Sequence, residues 1–95
     1  MSILQRFQMH GSVAIVTGSG RGIGRAIALA FAEAGADVVC TARSLAEVEA
    51  VADEVRGLGR RALALTCDVN DSEQRLALVR HSVEHMGRIT HLVNN

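Results

Sequence analysis

The amino-acid sequence predicts an α/β fold in which a doubly wound parallel sheet is laid down as β-α-β-α-β-α-β. Three observations carry this expectation. Short apolar runs alternate with stretches whose apolar residues recur at helical spacing. The links between them are short, and most are marked by glycine. The first apolar run leads straight into a glycine-rich turn that opens a helix. Strands that alternate with helices lie parallel, with right-handed crossovers and helices on both faces. The strand order expected for the first part of such a sheet is 3-2-1-4.

The first strand, Ser12–Thr17, is a β-branched apolar run ended by Gly18, suited to burial on both faces. Gly18 to Gly24 make the turn. The helix that follows runs to Ala34, with Ile23, Ile27, Ala30, Phe31 and Ala34 as its expected apolar face and Gly35 as its stop. Asp37–Thr41 is the second strand. Ser44 opens the second helix, and Glu47 follows three residues on. That is the capping-box pattern, in which each side chain satisfies the other's free backbone amide. Val48, Val51, Ala52 and Val55 form its apolar stripe, and Gly57 and Gly59 end it. Ala62–Cys67 is the third strand. The third helix spans Ser72–Met86, with Leu76, Val79, Val83 and Met86 expected to face the core and Gly87 closing it. Ile89–Asn94 is the fourth strand. With nothing after it, this strand would be an apolar edge with unpaired backbone groups, so the sequence reads as a piece of a longer domain, cut after strand 4.

Composition narrows the function classes. A chain of 95 residues is one small domain at most, and 48% hydrophobic with 21% charged residues is a globular balance. Ten basic residues offset ten acidic ones, which argues against binding nucleic acid or an anionic membrane. Arg60-Arg61, the densest basic spot, reads as a solvated loop. Cys40 and Cys67 stand in apolar context and are too few for a disulfide framework or a thiolate metal site. They read as reduced, buried thiols of a cytoplasmic protein. Met1 to His10 has no continuous apolar stretch of the signal-peptide kind. No segment approaches the roughly 20 apolar residues of a membrane span. His81 and His85 stand four apart, a metal-ligand spacing, but with no third ligand they read as a solvated helix face and no metal is expected.

The turn between strand 1 and helix 1 carries the chemistry. Gly18, Gly22 and Gly24 make Gly-x-x-x-Gly-x-Gly, a spacing different from the Gly-x-Gly-x-x-Gly fingerprint but with the same physics. Gly18 allows the tight exit from the strand, Gly22 lets the backbone approach a pyrophosphate, and Gly24 lets the helix pack close to the sheet. The helix N-terminus offers free amides to negative charge. Ser19 and Arg21 are candidates for direct phosphate contact.

Three motifs, each at a strand end, resemble one family, the short-chain dehydrogenases/reductases. They are Thr17 to Gly24 (Thr-Gly-Ser-Gly-Arg-Gly-Ile-Gly), the acid in Cys67-Asp68-Val69, and Leu92-Val93-Asn94-Asn95. The resemblance runs from about Phe7 to Asn95, and among members it is similar to 3-oxoacyl-carrier-protein reductases and 7α-hydroxysteroid-dehydrogenase-like enzymes. It implies a partial Rossmann fold in which residues 1–95 are the N-terminal dinucleotide-binding portion of a single domain. It implies that Gly18 to Gly24 hold the pyrophosphate, with Ile23 backing the cofactor. Asp68 would accept a hydrogen bond from the adenine amino group, Val69 would pack on the ring, and Asn95 would lie by the ribose. Asn94 would help tie the central strands together.

Selectivity between NAD and NADP is decided at the end of strand 2, where an NAD-dependent member places an acid that bonds the ribose hydroxyls. Here Ala42 takes that position and Arg43 follows it. An arginine with no acid beside it suits a 2′-phosphate, and Arg21 is a second positive charge nearby, so the expected cofactor is NADP, with NAD second.

The family moves hydride between nicotinamide and an alcohol or ketone, using a tyrosine, a lysine, a serine and an asparagine. This sequence has no tyrosine, and all ten of its basic residues are arginine. The resemblance therefore places the catalytic residues, the small-molecule alcohol or ketone pocket and the homo-oligomer helices beyond Asn95. The chain is expected to be the inactive cofactor half of an oxidoreductase. The alternative is a stand-alone, non-catalytic dinucleotide-binding or interaction module.

Overall fold

The structure is a computed structural model that describes residues 8–95; residues 1–7, where the polar lead and the start of the resemblance were placed, lie outside the described residues. Seven elements follow in the expected order. They are β1 (Val13–Thr17), α1 (Gly22–Glu33), β2 (Asp37–Ala42), α2 (Leu45–Gly57), β3 (Ala62–Thr66), α3 (Ser72–Met86) and β4 (His91–Val93). All strand pairs are parallel, and the order is β3-β2-β1-β4. The register sets Ile15 beside Val39 on β2 and beside Leu92 on β4. β4 is shorter than the apolar run that predicts it. Thr90 precedes it and clamps Val13 instead, its Oγ1 accepting the Val13 N–H at 2.9 Å.

Because side chains alternate along a strand, each strand feeds two cores. Val16, Val38 and Cys40 meet Ala28 and Ala32 of α1 and Val48, Val51, Ala52 and Val55 of α2 on one face. Val13, Ile15 and Val39 meet Leu78 and Met86 of α3 on the other. All of β1 is buried, as its unbroken apolar run predicts.

The α2 stripe is buried at all four expected positions. The other two helices bury only part of their expected faces, Ala34 beside α1 and Met86 on α3. In α1 the buried residues are Gly24, Ala28 and Ala32, four apart, and Ile23 is 74% exposed. Small side chains let this helix lie close on the sheet, while Ile27 and Phe31 cover the core only partly. In α3 the buried residues are Leu78, Ser82 and Met86, and Leu76, expected inside, is 70% exposed with Val79 and Val83 beside it. Ser82 tolerates burial because its hydroxyl donates to the Leu78 carbonyl at 2.7 Å.

Two polar features also differ from expectation. Arg60-Arg61 is a clasp rather than a free loop. Arg61 donates to Asp37 through its backbone N–H (2.9 Å) and its Nε (3.1 Å), and Arg60 Nη1 donates to the Gly35 carbonyl (3.0 Å). This fastens the start of β3 to the start of β2. The capping box at α2 is half made. Ser44 Oγ accepts the Glu47 N–H at 3.4 Å, while the Glu47 carboxylate turns toward Arg21.

Candidate functional site

The parallel strands all end on one side of the sheet, and a cleft of about 350 Å³ opens there. Its walls come from all four strand ends. The glycine turn after β1 supplies Gly18, Gly20 and Arg21. The end of β2 supplies Ala42 and Arg43, and α2 adds Glu47. Asp68 and Val69 follow β3, and Asn95 follows β4. Clefts at the carboxyl ends of such strands are where open α/β sheets bind ligands.

The glycine turn takes its shape from local physics. Gly18 and Gly22 have φ of +62° and +60°, a region that side-chain-bearing residues avoid. Among the described residues, a Cβ on Gly22 would meet nothing within 4 Å, which leaves the backbone there open to a ligand. Gly24 is the opposite case, since a Cβ built on it would overlap the Gly18 carbonyl and lie 2.8 Å from Asn95 Nδ2. The third glycine is thus required by close packing of helix against turn.

The start of α1 is chemically distinct. Its N-cap is Arg21, which makes no side-chain cap hydrogen bond, and its first turn holds no acid. By contrast, Ser44 caps α2 and Asp71 caps α3, the latter accepting from the N–H groups of Glu73 and Gln74. Uncapped first-turn amides carry partial positive charge that an anion satisfies.

Six of the residues singled out by sequence stand in the cleft wall: Gly18, Arg21, Arg43, Asp68, Val69 and Asn95. Ser19 does not. It is fully buried, its Oγ accepts the Thr41 N–H at 2.9 Å, and its own N–H donates to the Thr41 carbonyl at 3.2 Å. These bonds brace the glycine turn against the end of β2. Gly22, Ile23 and Gly24 lie on the first turn of α1, next to the turn residues Gly20 and Arg21 of the wall but outside the cleft lining itself. Asp68 Oδ1 accepts the Asn70 N–H at 3.0 Å, and the Asp68 N–H donates to Gln74 Oε1 at 2.7 Å, so the loop after β3 is ordered by α3.

Sequence reading passed over Thr17. Its Oγ1 accepts the Asn95 N–H at 3.0 Å and lies 3.2 Å from the Val93 carbonyl and 3.3 Å from Asn94 Oδ1. One hydroxyl thereby fixes the end of β4 to the end of β1, and Asn94 takes part, as its expected tying role requires. The only available signal was that a strand-terminal threonine faces the next chain crossing.

Both cysteines are free and buried. Burial pushes the Cys40 thiol up to about 11, against a bond to Ser19 that pulls the other way. Burial also raises Cys67, and the neighbouring Asp68 adds to it. Neither is a thiolate nucleophile at neutral pH. His81, Glu84 and His85 bring donor atoms within 4.8 Å of one another on the exposed side of α3, so Glu84 is the third donor that the sequence reading lacked. Among the described residues, no helix is long and apolar enough to cross a membrane.

Known proteins agree with this arrangement. The family model "short chain dehydrogenase" matches residues 12–95. An uncharacterized oxidoreductase of Mycobacterium tuberculosis is 44% identical over 93 residues, which are 98% of this chain and 35% of that protein. The 7alpha-hydroxysteroid dehydrogenase of Escherichia coli is 39% identical over 88 residues, 93% of this chain and 34% of that protein. The crystal structure of hydroxysteroid dehydrogenase from Escherichia coli matches with a TM-score of 0.91 at 37% identity, covering 96% of this chain and 39% of that one. The chain spans about a third of the length of the curated relatives it matches. Sheet order, glycine turn and sequence identity converge, and the chain belongs to the short-chain dehydrogenase family.

Proposed function

We propose that the cleft binds NADP(H) in preference to NAD(H), and that the chain is the cofactor-binding part of an oxidoreductase acting on a secondary alcohol or ketone. The observation that carries this is the uncapped, acid-free start of α1 behind a turn with open space over Gly22. It offers free amides and close backbone approach to a pyrophosphate, the combination dinucleotides require.

Each wall has a part in this reading. The amides of the Gly18–Gly24 turn hold the pyrophosphate, braced by Ser19, with Ile23 backing the cofactor. Asp68 uses one carboxylate oxygen to order its loop, and its second oxygen accepts from the adenine amino group while Val69 covers the ring. Asn95, held by Thr17, orients the ribose. Arg43 and Arg21 attract the 2′-phosphate, since Ala42 puts no acid in its way.

The cofactor supplies hydride transfer at its nicotinamide ring when bound. This chain contributes binding and orientation, because a sequence without tyrosine or lysine lacks the family's acid/base pair. The 95-residue chain by itself is therefore inactive toward alcohols and ketones. Cytoplasmic location, fitting its buried reduced thiols, and a homo-oligomeric parent enzyme belong to the same proposal.

Fluorescence titration of NADPH and NADH with the chain tests the reading. NADPH should bind more tightly. Tighter NADH binding overturns the selectivity argument, and no binding of either overturns the cofactor reading. The absence of tyrosine and lysine also favours a second reading, a non-catalytic dinucleotide-binding module. A monodisperse monomer that melts cooperatively and binds NADPH tightly supports that one.

A further inference from the structure

We propose that Glu47 limits how strongly the cleft favours the phosphorylated cofactor, opposing the preference that Arg21 and Arg43 create. This rests on the cofactor reading above and goes further by naming the residue that sets the ratio.

The observations concern where the Glu47 side chain lies. In a complete capping box it would turn back to the Ser44 N–H, yet only the Ser44 half of the box is formed. The side chain extends instead across the glycine turn. A Cβ on Gly20 would lie 2.9 Å from Glu47 Cβ, 3.1 Å from Glu47 Oε2 and 3.7 Å from the Ala42 Cβ. The carboxylate therefore rests against the turn at Gly20, which Ala42 also approaches, and Glu47 and Ala42 line the same cleft. It also stands 4.0 Å from Arg21 Nε, with the Arg21 and Glu47 side chains 89% and 42% exposed.

Two consequences follow from charge. Glu47 offsets part of the field of Arg21, and it repels a 2′-phosphate directly. At about 6 Å in water, a carboxylate facing a doubly charged phosphate is worth roughly tenfold in affinity before salt screening. A neutral ribose 2′-hydroxyl meets no such penalty. Glu47 thus supplies, from the first turn of α2, a weaker version of the discrimination that an acid at Ala42 would exert.

Glu47→Gln tests this in the full chain. It retains the backbone N–H that Ser44 caps, and it preserves the side-chain shape over Gly20. NADPH and NADH are titrated by fluorescence against wild type and variant, at low salt and again with added salt. The NADPH dissociation constant should fall about threefold to tenfold, with NADH altered less than about twofold, and the gain should shrink as salt screens it. If wild type binds NADPH but the ratio does not move in the variant, or both nucleotides shift together, the inference is overturned and the cofactor reading stands. If neither nucleotide binds wild type, both fall.

Discussion

Gly24→Ala is the sharpest test of how the site is built. The added Cβ would lie 2.7 Å from the Gly18 carbonyl carbon, and ordinary van der Waals contact begins at 3.4 Å. The start of α1 must therefore back away by more than the 0.7 Å between those two distances, because the Gly18 carbonyl oxygen lies nearer still. The obstacle is backbone, which cannot swing aside as a side chain can, so the cost sits at the upper end for overpacking, about 3 kcal/mol. Alanine in a helix returns about 1 kcal/mol relative to glycine, leaving a net loss of about 2 kcal/mol. For a domain of this size that lowers the melting temperature by about 8–16 °C. Far-UV circular dichroism is the suitable probe, since the chain has no tryptophan or tyrosine to report by fluorescence. Gly57→Ala is the control. A Cβ there meets nothing within 4 Å, at the last residue of α2, so it should leave the melt unchanged or slightly raised. Equal melting temperatures for Gly24→Ala and wild type would refute the close-packing account of the third glycine.

Other expectations follow from the same geometry. Replacing Ala42 with Asp and Arg43 with Gln should shift binding toward NADH in paired titrations; unchanged preference would remove the end of β2 from the selectivity argument. Asp68→Ala should weaken cofactor binding while lowering apo stability by only about 1 kcal/mol, the worth of its exposed bond to the Asn70 N–H; a large stability loss with intact affinity would make Asp68 structural. Cys40 has a raised thiol value, so its stabilising contribution is complete below the ordinary 9.0 and fades as pH climbs toward about 11. Melting temperature should fall over that window and fall less in Cys40→Ala. Leu92 is 66% exposed on β4, the edge strand of the sheet among the described residues, and Leu76, Val79 and Val83 add apolar surface on α3. Light scattering should show self-association that Leu92→Lys and Leu76→Glu reduce.

The α2 face was legible because valine and alanine at helical spacing have one apolar side to bury, and the strand order because apolar strands alternate with helices. The faces of α1 and α3 were not, for two physical reasons. In α1 the contact surface is made by Gly24, Ala28 and Ala32, so closeness rather than side-chain size decides which side is inside. In α3 a serine occupies the core, made compatible by a bond to its own helix, which an apolar pattern cannot register. The cleft was legible wherever a motif sits at a strand end, as with Asp68 and Asn95. The cleft roles of Thr17 and Glu47 were not legible because they depend on chain crossings far apart in sequence. Thr17 acts on residues at the end of β4, and Glu47 reaches back over a turn that precedes it by a whole helix and a strand.

The pairing of β1 with β4 has a consequence for the order in which the molecule assembles. β1, β2 and β3 join through local crossovers, whereas the Thr17–Asn95 bond spans 78 residues. Closing a loop of that length costs about 1 kcal/mol more than closing a local crossover, so contacts among the first five elements are expected to form ahead of it. β4 contributes three paired residues, the Thr90 clamp and the Thr17 hydroxyl bonds to offset that penalty. Its amides should be the first to exchange with solvent in the native state, and the last to become protected during refolding. The Asn95 side of the cleft is therefore expected to be completed last and opened first, and a ligand that bridges Asn95 to the glycine turn would hold that seam of the sheet closed.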